Sequence, residues 1–91
     1  MDINFYWAKS NSDEQRMAKT YGLNSPDPIM CNDSESGNCL YLFQSGSKYY
    51  VWNEVADTVN EITKPTKLTD IVNTIAHEFN DLQLKKLEPT Q

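Results

Sequence analysis

The sequence predicts an α+β fold: a small antiparallel sheet of three to four strands, packed with a helical hairpin and one surface helix. Three observations predict it. Residues 39–43 and 49–52 are dense in β-favouring side chains and flank Ser45-Gly46-Ser47, a flexible turn, so 39–52 reads as a hairpin. Residues 54–80 carry apolar side chains at helical spacing, interrupted by Lys64-Pro65. The chain has 91 residues, 38% hydrophobic and 11% aromatic, which is enough for one modest core. A single domain over residues 1–91 is expected, with mobile ends at about 1–2 and 85–91.

Residues 3–7 form an apolar and aromatic run suited to a first strand. Ser12, followed by Asp13, Glu14 and Gln15, reads as a helix N-cap, and Gly22 stands where a helix end wants a left-handed residue. A helix over about 13–21 follows, with Met17, Ala18 and Tyr21 as its thin apolar stripe. Asn24-Ser25-Pro26-Asp27-Pro28 is turn chemistry, residues 29–31 can be extended, and residues 32–38 are polar enough to require a loop or hairpin turn.

In the strand over 39–43, Leu40 and Leu42 alternate with Cys39, Tyr41 and Phe43, so both of its faces are apolar and it should be central and covered on two sides. Asn53 is a good N-cap, and Val55, Ala56, Val59 and Ile62 repeat at helical spacing, which predicts a helix over about 54–62 directly after the strand. A second helix is predicted over about 67–80, with Thr66 as its cap and Leu68, Ile71, Val72, Ile75 and Phe79 on one stripe. Leu82, Leu84 and Leu87 suit an extended tail, a short third helix or a continuation of the second.

The net charge of −5, from 13 acidic and 8 basic side chains, disfavours a nucleic-acid partner, because phosphate binding depends on Lys and Arg. No apolar run is long enough to span a membrane, and the N-terminus lacks the basic start and apolar stretch of a signal peptide, so a soluble cytoplasmic protein with no membrane partner is expected. In that setting Cys31 and Cys39 are expected as reduced thiols at strand ends, and their spacing matches neither a redox pair nor half of a zinc site.

Catalytic chemistry finds little to stand on. His77 is the only histidine and falls off the apolar stripe of its helix, where a lone exposed imidazole without a positioned partner is not a general base. Serines 34, 36, 45 and 47 lack a nucleophile elbow, and the three glycines are too far apart for a phosphate loop. Asp33, Glu35 and Asn38 do not have the alternation of a calcium loop. A non-enzymatic protein without cofactor or metal is the expectation.

The aromatic residues Phe5, Tyr6, Trp7, Tyr41, Phe43, Tyr49, Tyr50 and Trp52 are more than a domain of this size should hide, and exposed rings beside a strand suit a docked peptide. The segment Tyr49-Tyr50-Val51-Trp52-Asn53-Glu54-Val55-Ala56, continuing through Ile62 to the Ile71, Ile75 and Phe79 stripe, resembles the PqqD-like proteins, the peptide-recognition domains of modified-peptide pathways. The resemblance covers residues 49–79. Lys64-Pro65-Thr66 stands where that family often has an Asp-Gly turn, the family's third helix is barely present after Asp81, and residues 1–38 have no counterpart. It implies a leader peptide added as a strand beside Tyr49, Val51 and Trp52, the candidate partner-binding residues. The expected function is therefore a peptide- or protein-binding module that presents a precursor peptide to a modifying enzyme. The alternative is a small acidic regulator or inhibitor of a larger protein, and surplus aromatics on a small sheet also suit a homodimer.

Overall fold

The computed structural model describes residues 5–7, 14–33 and 39–90, with the side chains of residues 5–7, 32–33, 39 and 79 left aside. The expected N-cap at Ser12 and most of the polar loop over 32–38 lie outside the described residues. The strands are β1 (Phe5–Trp7), β2 (Asp27–Asp33), β3 (Cys39–Ser45), β4 (Lys48–Asn53), β5 (Thr58–Lys64) and β6 (Gln83–Lys86). They form one antiparallel meander in which spatial order equals chain order. Helix α1 (Glu14–Tyr21) connects β1 to β2, and α2 (Leu68–His77) with a short 3-10 turn (Phe79–Asp81) connects β5 to β6.

Alternation along the strands separates two cores. Leu42, Val51 and Ile62 point to one face, where Ile71 and Ile75 of α2 and Leu82 close over them. Phe43, Tyr50, Trp52 and Val59 point to the other face, against Met17 of α1, with Tyr21, Leu23, Tyr41 and Leu87 at the margin. The molecule is a three-layer α/sheet/α sandwich, and the central strands are apolar on both sides for that reason. Tyr41, Phe43 and Trp52 form an aromatic group with ring centroids 5.2–6.0 Å apart.

Local chemistry explains the turns. Gly46 has φ +63° as the first residue of the two-residue β3–β4 loop, the pattern of a type II′ hairpin. At the end of α1, Gly22 has φ +69° and the Leu23 N–H bonds the Ala18 carbonyl at 2.9 Å, the 6→1 bond of a Schellman cap.

The predicted α+β class, the hairpin over 39–52, its two-sided central strand and the surface helix are present. The sheet is wider than three to four strands. The helix expected over 54–62 does not exist, so there is no helical hairpin: residues 54–57 are a hairpin turn and Thr58–Lys64 is β5. Asn53 does make the bond of an N-cap, its side-chain oxygen accepting the Ala56 N–H at 3.0 Å, but Asp57 at φ +55° then turns the chain left-handed and back along β4. Val59 and Ile62, three apart, would share one side of a helix. In β5 they point to opposite faces, and each face has its own core to receive one of them.

Helix α2 is shorter than the expected 67–80. Its cap position is Lys67, not Thr66, with no side-chain capping bond, and it ends where Glu78 adopts an extended conformation. Residues 85–90, part of the end expected to be loose, make contacts with the sheet and with α1. Lys85 and Lys86 belong to β6, Leu87 N–H bonds the Val59 carbonyl at 2.9 Å, and Thr90 reaches the end of α1.

Candidate partner-binding site

Strand β4 carries the three residues singled out by the sequence, and its place in the sheet decides what they can do. β4 pairs with β3 through Leu42↔Val51 and Tyr41↔Trp52, and with β5 through Val51↔Asn60 and Trp52↔Val59. Both backbone edges of residues 50–53 are therefore in use, and no further strand can be added beside them. Val51 is 4% exposed and Trp52 fully buried, in opposite cores, while Tyr49 is half-buried at the α2 margin. Tyr49, Val51 and Trp52 do not converge on one surface. Among the described aromatics, Phe43 and Tyr50 are buried as well and Tyr41 is half-buried. The first helix of the strand-asparagine-helix-turn-helix pattern behind the family resemblance is also absent, its residues forming a turn and β5.

A polar clamp surrounds Trp52. Its indole N–H donates to the Asp57 carboxylate at 3.4 Å, the Arg16 guanidinium contacts both Asp57 oxygens at 3.2 and 3.4 Å, and the Tyr21 hydroxyl donates to the Asp57 carbonyl at 2.7 Å. These bonds pin α1 to the β4–β5 turn. The Arg16 hydrogen bonds, aided by the Trp52 N–H and outweighing partial desolvation, hold the Asp57 carboxyl below its ordinary range. Burial, then the Asp57 and Glu88 charges, push the Tyr21 phenol up. Every group here has a partner, so the cluster acts as a fastening.

The open surface lies at the end of the sheet. All four side chains of β6 are exposed, and among the described residues only its inner side is paired. The bond from Leu87 N–H to Val59 carbonyl fixes the phase of the β5–β6 ladder. With Glu61 opposite Lys85, residues 85 and 87 turn their backbone groups inward, and Leu84 and Lys86 turn theirs outward. A bulge at Thr63 twists the end of the strand pair, and the Thr63 hydroxyl donates to the Gln83 carbonyl at 3.0 Å. Leu84, 40% exposed, is one of two large hydrophobic residues left open among the described residues, the other being Val55 at the β4–β5 turn.

Beside the start of β6 runs a shallow groove of about 470 Å³, lined by Lys64, Pro65, Thr66, Lys67, Asp70, Thr74, Asp81 and Gln83. Its side chains can hydrogen-bond an extended chain. Elsewhere, His77 is exposed and Cys31 is a buried free thiol facing the α1 core. Among the described residues no three His, Cys, Asp or Glu side chains are grouped to hold a metal ion. No helix among them is long and apolar enough to cross a membrane.

The sequence offers one signal for β6 that the helical readings overlook. Leu82 and Leu84 alternate with Gln83 and Lys85, a period of two, and paired lysines are common on exposed sheet edges. Comparison with protein-family models, with curated proteins and with solved structures finds no match for this chain.

Proposed function

We propose that the protein is a non-enzymatic binding module that takes an extended segment of a partner as an additional strand on β6. The observation that carries this reading is the open β6 edge, where Leu84 and Lys86 present unpaired backbone groups next to an exposed leucine side chain. The ligand of this reading is an extended peptide, such as the leader of a precursor handed to a modifying enzyme. The receiving edge is β6 instead of residues 49–52.

Lys86→Pro tests the reading, because it removes an outward N–H while leaving the inward bonds of residues 85 and 87 in place. Displayed random decapeptides selected on the wild-type chain should bind it and lose at least most of their affinity for the proline variant, whose thermal unfolding stays near that of wild type. Backbone amide shifts on binding should centre on residues 83–87. Peptides that bind both proteins equally, or a selection that enriches nothing, would overturn the proposal.

A further inference from the structure

Basic side chains gather around β6. The chain carries −5 overall, yet four of its eight Lys and Arg residues stand at this one end of the sheet: Lys85 and Lys86 in β6, Lys64 opposite Gln83, and Lys67 at the start of α2. Asp70 and Asp81 offset Lys64 and Lys67 within the groove, so the uncompensated positive charge is on the strand itself. Glu61 lies opposite Lys85 in register but is bonded to Lys48 at 3.5 Å, and among the described residues no ion pair holds Lys85 or Lys86.

Resting on the edge reading above, we infer that the segment accepted by β6 is acidic, with two adjacent carboxylates and one apolar residue facing Lys86, Lys85 and Leu84. Strand alternation sets this order. Leu84 and Lys86 point to the α2 side of the sheet, as their neighbour Ile62 does, and Lys85 points to the α1 side. An antiparallel partner therefore reads acid-acid-apolar from its N-terminus, placing an apolar side chain beside Leu84 and one carboxylate over each lysine. Cross-strand pairs of this kind are the unit of sheet stabilisation. A second copy of this chain fits poorly: two β6 strands paired through both outward-facing residues centre on Lys85 and set like charges directly opposite one another.

Three nine-residue Thr/Val peptides with Glu-Glu-Leu, Gln-Gln-Leu or Lys-Lys-Leu at the centre, titrated into the full chain at low salt, test the inference. Two exposed ion pairs should make the Glu peptide bind about three- to tenfold more tightly than the Gln peptide, with the Lys peptide weakest. The advantage should shrink at high salt and vanish in Lys85→Gln/Lys86→Gln, where the Glu and Gln peptides should bind alike. Equal binding of the Glu and Gln peptides overturns the acidic preference and leaves the edge reading standing. Failure of all three to bind, or binding undiminished by Lys86→Pro, overturns the edge reading itself. Concentration-dependent dimerisation through β6 overturns the choice of occupant.

Discussion

Truncating Trp52 to alanine should cost about 3–5 kcal/mol of folding stability, the range for removing a large aromatic from a closed core. Its ring is fully buried between Tyr41 and Phe43, and its N–H is bonded to Asp57. Trp52→Phe keeps most of the packing and should cost well under half as much in the same urea titration. Asp57 adds a pH dependence. Its carboxyl is held below the ordinary range, so its contribution is present above the unfolded-state value and fades as pH falls through the folded one, that is, below about pH 4. Asp57→Asn, which tolerates the left-handed backbone, should be less stable than wild type at pH 7, with the gap narrowing towards pH 2.5. Because Arg16 and Asp57 are about half exposed, the gap should be small and should shrink in high salt. At this scale the sequence showed that aromatic side chains concentrate in the central strands, but not that Val51 and Trp52 are buried there. Aromatic side chains in a strand mark either a core or a docking surface, and only the pairing of β4 on both sides separates the two.

The elements that sequence periodicity identified are those in which one local signal dominates. α1 ends at a glycine, and the β3–β4 hairpin turns on another. Gly46→Ala should cost about 1 kcal/mol although nothing lies within 4 Å of the added methyl group, because the penalty comes from the positive φ alone. An asparagine there should recover part of the loss in thermal melts, and an alanine as stable as wild type would refute the turn assignment. Residues 54–64 were illegible for the opposite reason. Their spacing satisfies a helix, and a strand between two cores accepts the same residues, since Val59 and Ile62 are each buried on a different face. Tertiary context, through α1 on one side and α2 on the other, settles the choice. Slow amide exchange at successive residues over 58–62, bonded alternately to β4 and β6, with cross-strand contacts to both, is the expected signature. β6 was legible only as one of three readings, because the period of two over residues 82–85 is too short to exclude a helix, and the structure selects the extended one.

For the whole molecule, the chain's own end fastens the α1 layer. After β6, Leu87 packs into the α1 core, and the Thr90 N–H and hydroxyl both donate to the Thr20 carbonyl, at 2.7 and 3.0 Å, in the last turn of α1. Those bonds satisfy a carbonyl that a helix C-terminus leaves without an intrahelical partner. The Asp57 cluster already ties α1 to the β4–β5 turn, and the segment leaving β6 adds a second tie from the far edge of the sheet. Deleting residues 88–91 should therefore cost about 1 kcal/mol, the net worth of one or two exposed hydrogen bonds, with Thr90→Ala costing part of it. The loss should be local. Hydrogen exchange should quicken in α1 and leave α2 and the paired residues of β3 and β4 as protected as before, since the α2 core has no member in the deleted segment. The peptide binding proposed for β6 should be retained, because Leu84 and Lys86 keep their outward backbone groups and Leu87 keeps its bond to Val59. If exchange rises equally in α1 and α2, the two faces behave as one cooperative core, and the tail is a global staple instead of a strap on α1.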